Sequence, residues 1–221
     1  MSEVGIIASE DDFVVVNKPE GLNFHCEDGQ LGLVARVERQ LGMALYPVHR
    51  LDKVTSGLVI LPTSSEAAAV FTQAFTHRMV DKIYLALAVD KPKKKQGWLK
   101  GDMAKARRGA YKLVKTTQNP AITRFYSYSL APNLRGFVLK PFSGKTHQLR
   151  VAMKALSAPI LGDTLYGGSE SDRTYLHAYA LQFQYKGCDY QFYAHETSGQ
   201  LVQHFDALCA QFDNQPWQLD W

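Results

Sequence analysis

The chain has 221 residues, 46% of them hydrophobic, and a formal net charge of +4, so it can bury the core of one large domain or of two small lobes. Its three cysteines are widely separated and odd in number, which argues against a disulfide framework and fits a reducing compartment. No apolar run approaches the length of a membrane span, so we expect a cytoplasmic protein without a membrane partner.

The first part of the chain alternates strand and helix signals. The β-branched residues 13–17 predict a strand that ends at the proline- and glycine-containing turn 18–21. Apolar residues at helical spacing predict a helix over 31–41, which Gly42 closes. The apolar stretch 57–61 predicts a buried strand.

The next two elements can be placed from a cap and from an alternation. Thr63 or Ser64 can cap a helix whose apolar face follows directly. Residues 80–89 alternate as a strand does. This alternation places Lys82 and Tyr84 together on the less apolar face of that strand.

The second half of the chain is richer in strands. Thr146 can cap a helix that buries Leu149 and ends before Pro159. The remaining elements are predicted strands over 121–130, 135–142, 175–185 and 190–195, and a final amphipathic helix over 201–212. Because the helices are inserted between hairpins and do not alternate strictly with strands, the sequence predicts an α+β fold with a mainly antiparallel sheet.

Positive charge is concentrated in one segment, residues 91–115. The segment holds ten lysines and arginines against the single acid Asp102, so it carries +9 while the rest of the chain sums to −5. Lys and Arg side chains release counterions from a nucleic-acid backbone, and Trp98 and Tyr111 supply aromatic planes that can stack on bases. The segment therefore favours a nucleic-acid surface over the alternative, a solvated lysine-rich hairpin.

The stretch HRLDKVTSG, residues 49–57, places an acid beside a buried strand. If the chain is extended there, Arg50 and Asp52 share one face while Leu51 points to the core, and a rigid edge presents the carboxylate. The alternative is that Asp52 and its hydroxyl neighbours are turn formers, with Gly57 supplying an unusual dihedral before the strand. Spacing alone leaves both interpretations open.

Four stretches, read together, resemble the RluA-type pseudouridine synthase family. Their order and distances fit that family, and three supporting matches extend the resemblance over nearly the whole chain. The four stretches are VNKPEGL (16–22), HRLDKVTSG (49–57), KIY (82–84) and GKTHQLRV (144–151), and the supporting ones are PILGD (159–163), LYG (165–167) and LHA (176–178).

The resemblance implies a pseudouridine-synthase fold, a mainly antiparallel mixed sheet in two lobes flanked by helices with a central active-site cleft. It implies isomerisation of a uridine in ribosomal RNA or tRNA, without a cofactor and without a metal. Asp52 then matches the family's catalytic aspartate, which attacks the ribose or the base or abstracts a sugar proton. The sequence does not choose among these roles, and all of them need an ionised carboxylate.

The resemblance also implies roles for other side chains. Arg150 matches the cation that keeps Asp52 charged, and Tyr84 matches a tyrosine whose ring packs against the target base. The base must leave its stack to be reached, and Arg50 matches the residue that fills the vacated place.

Two further groups of residues are assigned to the substrate. The substrate-binding candidates are His49, Thr55, Lys82, Lys145 and Leu149. The candidates for contact with the RNA backbone are Lys93, Lys94, Lys95, Lys105, Arg107 and Arg108. Alternatives stay open for some: His49 and His147 can bond within their own loops, Lys82 can be a solvated strand lysine, and Lys18 can support the fold or the RNA.

The match departs from the family in places. Ala152 stands where a histidine is common, and Ser157–Ala158 replace a glycine-containing pair. The motifs begin near residue 13, so we expect one catalytic domain over 1–221 without an N-terminal accessory RNA-binding domain, acting as a monomer with no obligate protein partner. The rival functions are a catalytically silent RNA-binding relative and a hydrolase that uses Ser56 or Cys26, for which no nucleophile signature is present.

Overall fold

The computed structural model describes residues 3–221. The elements, in chain order, are β1 (Gly5–Ser9), β2 (Phe13–Lys18), α1 (Leu33–Leu41), β3 (Ser56–Pro62), α2 (Ser65–Thr76), β4 (Asp81–Ala88), β5 (Gln96–Lys105), β6 (Tyr111–Val114), β7 (Ala121–Ala131), β8 (Leu134–Pro141), α3 (Gln148–Ala155), β9 (Leu176–Tyr185), β10 (Cys188–Tyr193) and α4 (Gln203–Ala210). Short 3-10 turns lie at Arg107–Gly109, Thr164–Tyr166 and Pro216–Gln218. The fold is α+β, as the sequence predicts.

The chain divides into two compact units. The first unit contains the described part of Met1–Lys82 together with Ala178–His195, and the second contains Ile83–His177 with Glu196–Trp221. No helix within residues 3–221 is long and apolar enough to cross a membrane.

The first unit is built on β2, whose side chains are buried on both faces. β2 pairs antiparallel with β1 on one side and with β3 on the other, and β9 pairs antiparallel with β10. Phe13 is the aromatic centre of the core, with ring centroids 5.3 Å from Phe71 of α2 and 5.7 Å from Phe183 of β9. These edge-to-face contacts fix α2 against the strands.

The second unit is a sheet in the order β4-β8-β7-β5-β6, and its described pairings are antiparallel. Residues directly opposite each other share a face, so Tyr84, Leu139 and Phe125 lie on one face of this sheet. Helix α3 packs there through Leu149 and Met153. The register places Trp98, Arg124 and Lys140 on the opposite face.

Most local predictions are confirmed, and two differ. Ser64 caps α2, accepting a hydrogen bond from the Ala67 amide at 3.1 Å, and Gly42 ends α1 in the left-handed conformation. No strand is predicted before residue 13, yet β1 lies there because β2 offers it an edge to pair with. The prediction that Thr146 caps α3 is wrong, since the capping residue is His147, without a side-chain cap bond.

Candidate active site

The Asp52 turn precedes strand β3 and belongs to the first unit. The strand begins at Ser56, so Asp52 is not part of an extended edge. The Thr55 amide donates to the main-chain oxygen of Asp52 at 3.0 Å, and the Gly21 amide donates to that of Lys53 at 2.9 Å. The Asp52 side chain is half-buried, and Arg50 is exposed. The backbone at Asp52 therefore forms a turn, as the second interpretation predicts. The carbonyls of Asp52 and Lys53 accept the hydrogen bonds that hold this turn.

A fully buried lysine ties this turn to the end of β2. The ammonium of Lys18 donates to the carbonyls of Pro19 at 2.9 Å, Leu22 at 2.9 Å and Lys53 at 3.2 Å, and its side chain is 0% exposed. A buried ammonium is costly unless acceptors surround it, and these carbonyls supply them. Lys18 thus fixes the turn beside Asp52, so its contacts support the fold interpretation rather than contact with RNA.

Gly57 is required where the turn enters β3. Its φ is +114°, and a Cβ at this position would lie 2.3 Å from the carbonyl oxygen of Ala178. No side chain larger than hydrogen fits that approach of strand β9. The glycine of the HRLDKVTSG stretch therefore allows the close approach of strand β9 at the start of β3.

His49 bonds within the first unit. Its Nε2 accepts the Ile60 amide at 2.8 Å, and its ring stacks on Phe75 with centroids 4.3 Å apart. Burial, with a smaller contribution from the Lys82 cation, lowers the pKa of His49 to about 3. The Lys82 ammonium lies 5.6 Å from the Phe75 centroid, and burial lowers the pKa of Lys82 as well. His49 is therefore neutral near pH 7 and braces strand β3.

Thr55, the other substrate-binding candidate of this unit, is only 3% exposed. In the second unit, Tyr84 is half-buried, stands opposite Leu139 in the sheet and packs against the core that α3 covers. Leu149 lies in that same core, 6% exposed. Tyr84 is thus anchored against a packed core while part of its side chain stays accessible.

Arg150 lies in the first turn of α3 and is held through its guanidinium. Its Nε donates to Oδ2 of Asp163 at 2.7 Å and a terminal nitrogen donates to Oδ1 at 2.8 Å, which is a bidentate pair. The guanidinium carbon also lies 4.9 Å above the Tyr166 ring. All three side chains are at least nine-tenths buried.

Asp163 and Tyr166 are not among the site residues predicted from the sequence, although both lie in stretches that resemble the family. A signal was available: a buried arginine needs a counter-ion, and Asp163 is the acid of the PILGD stretch that follows α3. The partner could not be chosen from the sequence because the chain turns back after Pro159 before reaching it.

A buried amide network fixes the start of α3. The side-chain oxygen of Gln148 accepts from the Ser143 hydroxyl at 2.8 Å and from the Lys145 amide at 3.0 Å, and its nitrogen donates to the Ile122 carbonyl at 3.0 Å. The Lys145 ammonium donates to the side-chain oxygen of Asn119 at 2.8 Å. These bonds set the direction in which the first turn of α3 projects Arg150.

The basic segment forms the hairpin β5–β6, whose tip is the 3-10 turn Arg107–Gly109. The side chains assigned to the RNA backbone are all exposed: Lys93, Lys94, Lys95, Lys105, Arg107 and Arg108. The single acid of the segment, Asp102, accepts the amides of Gln118 at 3.0 Å and Asn119 at 2.8 Å. Hydrogen bonds, the largest from the Thr116 side chain, lower the pKa of Asp102, so this carboxylate is engaged by the neighbouring loop.

The two aromatic residues of the segment differ. Trp98 is 51% exposed and has the Arg124 guanidinium 5.0 Å from its ring, on the sheet face opposite Tyr84. Tyr111 is half-buried, and its amide donates to the Tyr166 hydroxyl at 3.0 Å. Only Trp98 of this pair presents a largely open ring.

Among residues 3–221, no group of three or more histidine, cysteine, aspartate or glutamate side chains is arranged to hold a metal ion.

Comparisons with known proteins identify the family of the chain. A family model described as RNA pseudouridylate synthase matches residues 12–155. An uncharacterized RNA pseudouridine synthase of Haemophilus influenzae is 54% identical over 186 residues, which cover 83% of each chain. The dual-specificity RNA pseudouridine synthase RluA of Escherichia coli is 33% identical over 186 residues, 80% of this chain and 84% of its own.

Solved structures show the same fold. The structure of human RNA pseudouridylate synthase domain containing 1 superposes with a TM-score of 0.73 at 23% identity, over 94% of this chain and 95% of its own. That of human RNA pseudouridylate synthase domain containing 4 gives a TM-score of 0.70 at 24% identity, over 90% of both chains.

Proposed function

The chain belongs to the RNA pseudouridylate synthase family and isomerises uridine in RNA to pseudouridine, and from this premise we propose that it acts on ribosomal RNA or tRNA with Asp52 as its catalytic carboxylate. The observation that supports Asp52 is the construction of its turn. Hydrogen bonds to the carbonyls of Asp52 and Lys53 fix the backbone that presents the half-buried Asp52 side chain.

The reaction needs little besides this carboxylate. The bond between the ribose carbon and the uracil nitrogen breaks, the base turns, and a bond from the same ribose carbon to a ring carbon forms. No atom is gained or lost, apart from a proton that leaves that ring carbon and is replaced at nitrogen. Asp52 serves either as the nucleophile at the ribose or the base, or as the base that removes a sugar proton.

Tyr84 and Arg150 serve the same reaction. Tyr84 packs against the target base, and its half-buried, sheet-anchored ring is suited to that task. Arg150 supplies the cation that favours the ionised form of Asp52. Arg50, exposed beside the turn, occupies the place that the flipped base leaves, which offsets part of the few kcal/mol that unstacking costs.

The hairpin β5–β6 and the lysines that precede it bind the RNA backbone. The six cations assigned to the RNA backbone are exposed and are not compensated within the segment, because Asp102 is engaged by the loop beside it. Lys82 and Lys145 contact the substrate directly. His49 and Thr55 support the substrate site indirectly by holding the turn in place, and Leu149 does so by holding helix α3 in place. We expect a cytoplasmic protein, and we expect a monomer because the proposed reaction uses side chains of one chain.

The test is pseudouridine mapping by carbodiimide labelling and reverse transcription, on total RNA from source cells with and without the gene. Wild type, Asp52→Asn and the matched control Lys53→Ala are returned to the deletion strain. The proposal expects one or a few stops to vanish, and wild type and Lys53→Ala to restore them while Asp52→Asn does not. Restoration by Asp52→Asn contradicts the catalytic assignment. Unchanged stops, with RNA bound by the purified protein, favour the silent RNA-binding relative.

A further inference from the structure

Tyr166 is a buried junction in the second unit, 2% exposed. Its hydroxyl accepts the Tyr111 amide at 3.0 Å and lies 2.8 Å from Nδ1 of His147. The amide can only donate, so the phenol oxygen is the acceptor there. One phenol thus contacts the hairpin through Tyr111 and the residue that caps α3 through His147.

The ring of the same tyrosine supports Arg150. The guanidinium carbon lies 4.9 Å from the ring centroid, while Asp163 holds the guanidinium through the bidentate pair. Tyr166 and Asp163 belong to one tight turn, in which the Tyr166 amide donates to the Asp163 carbonyl at 3.1 Å. Both supports of Arg150 therefore move together if this turn moves.

The hairpin end of the junction is close to its exposed charges. Tyr111 pairs directly with Lys105 across the hairpin, and the tip residues Arg107 and Arg108 connect the two. The tip is itself closed by a bond from the Ala106 amide to the Ala110 carbonyl at 2.8 Å. The tip is thus connected to the Tyr111 amide through the hairpin pairing, and the Tyr111 amide is bonded to the phenol.

We propose that Tyr166 is a positioning residue that couples RNA contact at the hairpin to the placement of Arg150. This inference rests on the proposed function, in which the hairpin binds RNA and Arg150 serves the reaction. RNA that holds the tip in this position stabilises the arrangement in which Tyr166 supports the guanidinium. Coupling between sites is reciprocal, so a correctly placed Arg150 also favours the hairpin position that RNA selects.

The test is a double-mutant cycle read separately in rate and affinity. Single-turnover rates at saturating RNA, and dissociation constants, are measured for four proteins: wild type, Tyr166→Phe, the triple variant Lys105→Ala/Arg107→Ala/Arg108→Ala, and the combination of both. The phenylalanine keeps the ring below Arg150 and removes only the hydroxyl. The cycle isolates the coupling because each change removes one end of the connection.

Tyr166→Phe is expected to lower the rate about tenfold, because small misplacements of catalytic groups are costly. The triple variant should weaken binding and also lower the rate at saturation. In the combination, binding should match the triple variant while the rate is no lower than that of Tyr166→Phe. Rate losses that multiply in an active series contradict this inference alone, whereas an inactive wild type contradicts the proposed function.

A second buried tyrosine supplies the matched control. The Tyr175 hydroxyl accepts the Leu201 amide at 2.9 Å and donates to Asp172 at 2.7 Å, and the residue is 0% exposed. Tyr175→Phe removes a similar bond pair without touching the hairpin or Arg150. It should lower the melting temperature while leaving the saturated rate within about twofold of wild type. An equal rate loss in both variants means that Tyr166 has only a structural role.

A measurement without any Tyr166 variant covers the case in which Tyr166→Phe does not fold. The Nε–H resonance of Arg150 is followed by NMR while Asp52→Asn protein is saturated with RNA. If the two sites are coupled, this resonance should shift when RNA binds. The shift should be smaller when the saturated protein also carries the triple substitution. Identical shifts with and without the tip cations overturn the inference.

Discussion

Asp52 and Arg150 are fixed by opposite means, each within its own unit. The described bonds of the Asp52 turn run between main-chain groups and the buried Lys18 ammonium, and they fix the backbone at residue 52. Arg150 is held by its own guanidinium, through Asp163 and the Tyr166 ring. A side chain presented by a fixed backbone can be exchanged with little structural cost, while a buried ion pair cannot lose one partner without exposing the other to an apolar interior.

The largest effect that separates the two regions is expected from Arg150→Met. This change leaves the carboxylate of Asp163 buried without its bidentate partner and should cost about 3–5 kcal/mol of unfolding free energy in addition to activity. Asp52→Asn should lose at least about a hundredfold in activity while its unfolding free energy stays within about 1 kcal/mol of wild type. Urea unfolding and single-turnover assays on both proteins measure the split.

Two results would remove this contrast. The double variant Arg150→Met/Asp163→Leu should recover part of the stability lost by Arg150→Met, because no charge is then left uncompensated. No recovery would mean that the pair is not what stabilises this region. A stability loss in Asp52→Asn as large as that in Arg150→Met would show that the turn depends on its carboxylate.

Lys18→Met tests the backbone side of the comparison. The change removes three hydrogen bonds from a charged donor to main-chain carbonyls and should destabilise the protein by about 1.5–3 kcal/mol, with reduced activity because the Asp52 turn loosens. Lys53→Ala is the control, because the main-chain carbonyl of residue 53 accepts the bond from Lys18 and the exposed Lys53 side chain does not take part in it. Urea unfolding of both variants is the measurement, and equal losses would contradict the anchor.

His49 gives the same region a pH dependence. The pKa of His49 is about 3 in the folded protein and near 6.5 in an unfolded chain, so below pH 6.5 only the unfolded state takes up this proton. The stability that the neutral ring contributes is complete above pH 6.5 and is lost progressively as the pH falls toward 3. Between pH 7 and pH 5, wild type should lose up to about 2 kcal/mol more than His49→Gln.

Urea unfolding of both proteins at the two pH values measures this difference, and all other titrating groups are common to the pair. An NMR titration gives an independent reading, in which the His49 ring shows no protonation step between pH 5 and pH 8. Parallel pH profiles for the two proteins would show that His49 is not held neutral.

The smallest expected effect on stability comes from removing an exposed cation, Lys105, in contrast to the buried Lys18. Lys105→Ala should leave the unfolding free energy within about 0.5 kcal/mol of wild type, because the side chain is exposed. The slope of the logarithm of RNA affinity against the logarithm of salt concentration should fall by about 0.7, the value for one phosphate contact on a single strand. Filter binding over a salt series measures the slope, and an unchanged slope excludes Lys105 from the RNA contact.

Local patterns predicted much of the fold. Ser64, Gly42 and the alternation of residues 80–89 act over a few residues, through hydrogen bonds to nearby amides, left-handed backbone and side-chain periodicity. They could be read without knowing what packs against them. Strand β1 was not predicted because its stability comes from pairing with β2, while its own side chains are at most half-buried and give no clear pattern.

The sequence alone determined the class of fold, the family, and the identities of Asp52, Tyr84 and Arg150 as the residues to test. Only the tertiary structure decided what holds them: Lys18 against the carbonyl of Lys53, and Asp163 with Tyr166 around Arg150. These contacts join residues 13 to 35 positions apart, across turns whose direction is set by packing. Local periodicity does not indicate which residues pair at that distance. The partner of a buried charge is decided by the tertiary packing that brings the two side chains together.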